Sequence, residues 1–207
     1  MDEAAELAQR LRTAVDDERV LRAIAAVPRD RFVPAEHRSR AYENVALPTT
    51  GGQTISQPVV VARMLELLAL TGAERVLDVG TGSGYHAALL ATLAAEVMTI
   101  EISPTLSAGA ARALAELGCA NVTCVVADGW RGLPEAAPYD AINVAAATGP
   151  EIPVSLVDQL ADGGRLVAPM GRRRQFLTRL TRHGAEVRET TFEEVRFVPL
   201  VREPPPR

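Results

Sequence analysis

Cysteine is scarce: Cys119 and Cys124 are the only two. Lying close together around an expected turn and strand, they do not make a metal cluster, and no metal is expected. No apolar run is long enough to span a bilayer. The opening MDEAAELAQRLR lacks the basic start and apolar stretch of a secretory signal. These absences point to the cytoplasm, where a disulfide is not expected. Asn121-Val122-Thr123 is then a chance match to a glycosylation acceptor. Basic residues are not in excess: 22 Lys and Arg face 26 Asp and Glu, a net charge of −4. That argues against a nucleic-acid-binding surface, and Arg172-Arg173-Arg174 reads as a solvated turn between strands. There is no internal repeat. The expected protein is a monomer with no nucleic-acid or membrane partner. At 207 residues and 47% hydrophobic content, it should form one domain with a substantial core.

What is present is organised around residues 75–102. Val76, Leu77 and Val79 read as a buried parallel strand. Gly80-Thr81-Gly82-Ser83-Gly84 breaks it, residues 85–93 read as a helix rich in Ala and Leu, and 97–102 as a second strand closing on Glu101 and Ile102. This is a βαβ unit whose glycine turn lets a ligand approach bare backbone at a helix N-terminus. Glu101 lies about twenty residues past Gly80, a spacing that suits a hydrogen bond to ribose hydroxyls. The dinucleotide fingerprint is G-x-G-x-x-G; here the third glycine comes one place early.

Around this unit, residues 4–14 read as an amphipathic helix, and Val20, Leu21, Ile24 and Val27 as a second one ended by Pro28. Residues 37–43 read as a further helical turn. Residues 44–58 (NVALPTTGGQTISQP) read as a polar loop able to cover a ligand, with Ser56 as N-cap of an apolar helix over 59–70. Beyond Glu101, a helix is expected over 104–117, strands over 122–127 and 139–146, a helix over 153–160 ended by Gly163-Gly164, and strands over 165–169, 175–182 and 191–201. The alternation implies a doubly wound sheet with a late antiparallel strand, whose ligand sits at the carboxyl ends of the strands. His37 and His183 read as surface residues, His86 as packed or solvated, and Trp130 as a wall of the nucleotide site.

Several stretches in order, VPRDRFVP at 27–34, ENVALP at 43–48, GQTISQP at 52–58, VLDVGTGSGY at 76–85, DGW at 128–130 and RFVPLV at 196–201, resemble the protein-L-isoaspartate O-methyltransferase family. The G-x-G-x-G turn is shared by S-adenosyl-L-methionine (AdoMet)-dependent methyltransferases generally; GQTISQP and RFVPL are much more specific. The resemblance implies an α/β fold: a doubly wound, mostly parallel seven-stranded sheet with an N-terminal helical cap. Residues 1–58 would form the cap and cofactor-covering loop, 59–201 the AdoMet-binding core and 202–207 a flexible tail. It also implies methyl transfer from AdoMet, leaving S-adenosyl-L-homocysteine, to the free carboxylate of L-isoaspartyl or D-aspartyl residues in damaged proteins.

Carried over residue by residue, the resemblance implies that Thr54, Ile55 and Ser56 lie over the cofactor, with Ser56 as the active-site residue. Gly80, Thr81, Gly82 and Gly84 form the glycine turn, and Glu101 and Ile102 flank the ribose. Asp128 and Gly129 lie beside the adenine, and Gln175 approaches the cofactor. Leu47, Pro48, Val144, Ala145, Ala146 and Val198 hold the substrate peptide. The chain departs from the family at Thr49-Thr50-Gly51, at Val59 and in the loop 145–153, all on the substrate side. These departures allow an enzyme for one dedicated peptide; a non-catalytic AdoMet-binding module is the other alternative. The absence of a convincing His or Cys nucleophile suits this chemistry. A carboxylate with pKa about 3.9 is already ionised at neutral pH and needs no general base, so alignment carries the catalysis.

Overall fold

The computed structural model describes residues 3–202. Helix α1 (Glu3–Leu11) buries Ala4, Leu7, Ala8 and Leu11, one apolar stripe. Helix α2 (Glu18–Ala26) is capped by Asp17, whose side chain accepts from the backbone N–H groups of Arg19 and Val20. Two 3₁₀ turns follow, Arg29–Phe32 and Ala35–Arg40. Strands β1 (Leu47–Pro48) and β2 (Thr54–Ile55) then pair antiparallel, Leu47 with Ile55 and Pro48 with Thr54. The expected open loop is therefore a short hairpin. Helix α3 (Pro58–Leu68) is capped by Gln57, with Pro58 in its first turn. Ser56, the expected cap, stays one residue outside.

Strand β3 (Arg75–Val79), helix α4 (Tyr85–Leu93) and strand β4 (Glu96–Glu101) form the expected βαβ unit. Helix α5 (Pro104–Glu116) and strand β5 (Val122–Val126) extend it, followed by β6 (Tyr139–Val144), α6 (Val154–Asp158), β7 (Leu160–Met170), β8 (Gln175–His183) and β9 (Glu186–Val195). The sheet order is β5-β4-β3-β6-β7-β8-β9. Neighbours from β5 to β7 are parallel; β8 is antiparallel to both β7 and β9. Only β8 runs against the other six. The chain moves outward from β3 in both directions, so the ends of β3 and β6 flank the crevice where such sheets bind ligands.

Helix α4 is apolar all round because it is covered twice. It lies on the sheet, and α2 packs over it, in one core that runs from Leu7 to Leu177. The two N-terminal helices are thus outer-layer supports. Among the described residues, no helix is long and apolar enough to cross a membrane.

Two expectations need correction. Gly163-Gly164 does not end a helix. Helix α6 stops at Asp158, and the glycines lie inside β7, where Tyr139 pairs with Leu160 but Ala141 pairs with Arg165. The extra residues form a bulge, with Gly163 at φ +75°. The last strand ends at Val195, not at 201. Beyond it the chain crosses to the loop after β6: Ala147 N–H donates to Val198 O and Leu200 N–H to Ala147 O, both at 2.8 Å. Arg202 stacks on Trp130, its guanidinium carbon 3.9 Å from the ring centre, so it is no free tail; residues 203–207 lie outside the described residues.

Candidate active site

The glycine turn is held from three sides. Gly80 and Thr81 both donate to the carbonyl of Ile100, at 2.9 and 3.1 Å. Glu101 accepts from Gly82 N–H at 3.0 Å and from Ser103 N–H at 3.1 Å. Gly82 (φ +52°) and Gly84 (φ +92°) occupy the left-handed region, and a Cβ on Gly84 would lie 3.2 Å from that of Ala110. The carboxylate that the spacing assigns to ribose is therefore also a brace for the turn. Each of its oxygens keeps acceptor capacity for a hydroxyl.

Beneath the turn lies a network that motif reading missed. Asp78 is fully buried. It accepts from Asn143 Nδ2 and Thr99 Oγ1, both at 2.8 Å. Thr99 Oγ1 is 2.7 Å from Thr81 Oγ1; since its one proton goes to Asp78, Thr81 donates there. Residues of β3, β4 and β6 are thus tied to the glycine turn. Burial pushes the Asp78 carboxyl up to about 6; the Asn143 and Thr99 bonds oppose this, and the charge of Glu101 adds to it. A lone acid in the apolar run VLDV was its one sequence signal.

A second missed residue is Arg29. It is fully buried and donates to the carbonyls of Ala41, Val45 (3.2 Å) and Ser56 (3.0 Å). Burial pulls its pKa below the usual guanidinium value, opposed by Tyr85 and Tyr42. It fixes the backbone on which Ser56 stands. The Ser56 hydroxyl itself makes no hydrogen bond among the described residues.

A cavity opens at the carboxyl ends of β3 and β4. Its wall brings together Thr54, Ile55, Ser56, Gly80, Thr81, Gly82, Glu101, Ile102, Gly129, Ala145, Ala146 and Val198 from the expected set. Tyr85, His86 and Leu200 join them. The remaining expected residues lie elsewhere. Gly84 caps α4 behind the turn. Leu47 and Val144 have their side chains in the core, and Pro48 is exposed beside Thr54. Asp128 accepts from Trp130 N–H at 2.9 Å. Gln175 is engaged with Phe197, donating to its carbonyl at 3.2 Å and accepting from its N–H at 2.6 Å. Trp130 does not wall the cavity; its Nε1 donates to Leu200 O at 3.0 Å. Gln175 and Trp130 thus anchor the two ends of the 197–200 crossing.

The wall suits a nucleoside with an amino-acid tail. Glu101 keeps carboxylate oxygens with acceptor capacity toward the cavity, and bare glycine backbone lies beside it. Among the described residues, Tyr85 Oη and His86 Nε2 are buried without a hydrogen-bond partner, so they can meet polar atoms of a tail near the start of α4. Burial holds His86 at about 4, leaving it neutral at pH 7 with one donor and one acceptor nitrogen. Among the described residues, no three His, Cys, Asp or Glu side chains converge to hold a metal.

The family described as Protein-L-isoaspartate(D-aspartate) O-methyltransferase (PCMT) matches residues 2–204. A protein-L-isoaspartate O-methyltransferase of Cronobacter sakazakii is 52% identical over 188 residues, covering 91% of this chain and 90% of its own. A solved structure of a protein-L-isoaspartate O-methyltransferase superposes with a TM-score of 0.85 at 30% identity; it matches 94% of this chain, which spans 64% of that longer one. A Plasmodium falciparum structure described as the same enzyme, in complex with S-adenosyl-L-homocysteine, has a TM-score of 0.84 at 24% identity over 97% of this chain and 99% of its own, and shares the fold. With the match running through every wall of the cavity, this chain belongs to the protein-L-isoaspartate (D-aspartate) O-methyltransferase family.

Proposed function

We propose that the protein transfers a methyl group from AdoMet to the free carboxylate of L-isoaspartyl and D-aspartyl residues in damaged proteins. The methyl ester then closes to a succinimide, whose hydrolysis returns part of the material to normal aspartate. One observation carries this beyond family membership. The cavity bearing Glu101 and a second hollow meet, sharing Thr54, Ser56, Ala145 and Val198. A donor on one side and a peptide on the other would face each other across Ser56.

AdoMet supplies an activated methyl on a sulfonium. The chain's residues need only position and shield. Glu101 and the glycine turn hold the nucleoside, and Tyr85 and His86 stand toward the tail. The Ser56 hydroxyl, free of partners among the described residues, can donate to one oxygen of the incoming carboxylate and aim the other at the methyl. The 197–200 crossing and the β1–β2 hairpin exclude water from the contact. We further propose a cytoplasmic setting, which Cys119 and Cys124, both free thiols, support.

The test is the fate of the methyl group. An isoaspartyl peptide and methyl-labelled AdoMet should give a base-labile label, released as methanol while succinimide and then normal aspartyl peptide accumulate. A base-stable label would refute carboxyl methylation.

A further inference from the structure

The second hollow, about 1060 Å³, has room for several residues of an extended peptide beside Ser56. Its charge is one-sided. Arg172 and Arg173, in the turn between β7 and β8, and Arg196, just past β9, line it and are exposed. Among the described residues, none of the three forms a hydrogen bond or ion pair. The carboxylate on the same wall, Glu194, is bound by Arg174 at 2.8 Å. The vestibule therefore carries uncompensated positive charge in a protein whose net charge is −4. Three like charges around one hollow repel each other and support no fold contact. Anionic groups entering it would relieve that repulsion, and a guanidinium fork matches a carboxylate in both charge and geometry.

We infer that the hollow selects substrates with acidic residues next to the isoaspartyl residue. This rests on the isoaspartyl reading above, because a carboxylate placed at Ser56 puts its sequence neighbours in this hollow. The selection acts through KM and association, since the arginines stand off the reacting atoms. Exposed ion pairs are individually weak, so two of them give a preference of about tenfold, and salt should erase most of it.

The experiment uses two isoaspartyl peptides of equal length, acetylated and amidated, with two Glu or two Lys flanking the isoaspartyl residue. kcat/KM is measured at 20 mM and 500 mM NaCl for the wild type, for Arg172→Gln/Arg173→Gln, and for a control, Arg112→Gln/Arg188→Gln, that removes the same charge elsewhere. AdoMet affinity measured in parallel checks folding. The expected result is about a tenfold preference for the Glu peptide at low salt, carried by KM. It should fall to about twofold at high salt and in the vestibule variant, and persist in the control. Equal rates on the twins, a preference for the Lys peptide, or the same loss in the control would overturn the inference while leaving the isoaspartyl reading intact. No transfer to either twin would remove both. Tighter inhibition by a single-stranded oligonucleotide than by a peptide of equal charge would reassign the arginines to nucleic acid.

Discussion

Replacing Glu101 with Gln separates the two duties of that side chain. The carboxylate is 8% exposed, with one oxygen on Gly82 N–H and the other on Ser103 N–H. A glutamine has a single acceptor oxygen, so one of these N–H groups must face the amide NH2. A buried donor left unpaired costs roughly 1–3 kcal/mol, which should appear as lost stability without ligand. A ribose diol would also lose a charged acceptor, worth roughly 1.5–3 kcal/mol, or about a ten- to hundredfold rise in Kd. Glu101→Ala removes both backbone acceptors and should lose more stability for a similar loss of binding. Urea denaturation gives the first quantity and calorimetric titration with S-adenosyl-L-homocysteine the second. A folded Glu101→Gln protein with Kd within about twofold of wild type would show that Glu101 braces the turn and does not touch the ligand.

Asp78→Asn should change the pH dependence of stability. The folded Asp78 holds its proton more tightly, at about 6 against 3.8, so its contribution is present below the lower value and lost as pH rises through the upper one. That is roughly 3 kcal/mol. The amide can keep Asn143 and donate to Thr99, so the variant should match or exceed wild type above pH 6; a stability difference constant from pH 4 to 7 would contradict this. Arg29→Met strands the carbonyls of Ala41, Val45 and Ser56 and should cost roughly 2–4 kcal/mol, measured by denaturation; an unchanged midpoint would remove Arg29 as the support of Ser56. In Gly129→Ala, the new Cβ would stand 2.8 Å from Val79 Cγ1 and 3.0 Å from Leu200 Cδ1. Val79 is fully buried and Leu200 lies on the crossing, so the crossing should shift and activity fall for a stability loss of roughly 1–3 kcal/mol. Full activity would show that the crossing does not need its present position.

The parts legible in the sequence were local. Val76 to Gly84 shows its strand, turn and helix start in consecutive residues, and Glu101 is placed by the length of one crossover. The parts that stayed hidden depend on partners far along the chain. Nothing in RDRF itself marks Arg29 as buried, because its acceptors come from residues 41, 45 and 56. Residues 197–201 have the composition of a strand, but the backbone bonds of Val198 and Leu200 go to Ala147. Gln175 and Trp130 read as ligand contacts, while their polar atoms hold the backbone of Phe197 and Leu200. Gly163-Gly164 punctuates a strand as well as a helix, and only the register against β6 distinguishes the two.

Initial methyl-transfer rates on an L-isoaspartyl peptide and its normal aspartyl twin, at equal concentration, decide whether the protein acts on isoaspartyl carboxylates. Both carry an ionised carboxylate, so only geometry separates them; the aspartyl group hangs one methylene further from the backbone. Misplacement by about 1 Å can cost on the order of a hundredfold in rate. The isoaspartyl peptide should therefore be methylated and the aspartyl twin little or not at all. Equal rates, or transfer only to the aspartyl peptide, would contradict the repair function and point to an enzyme for one dedicated peptide.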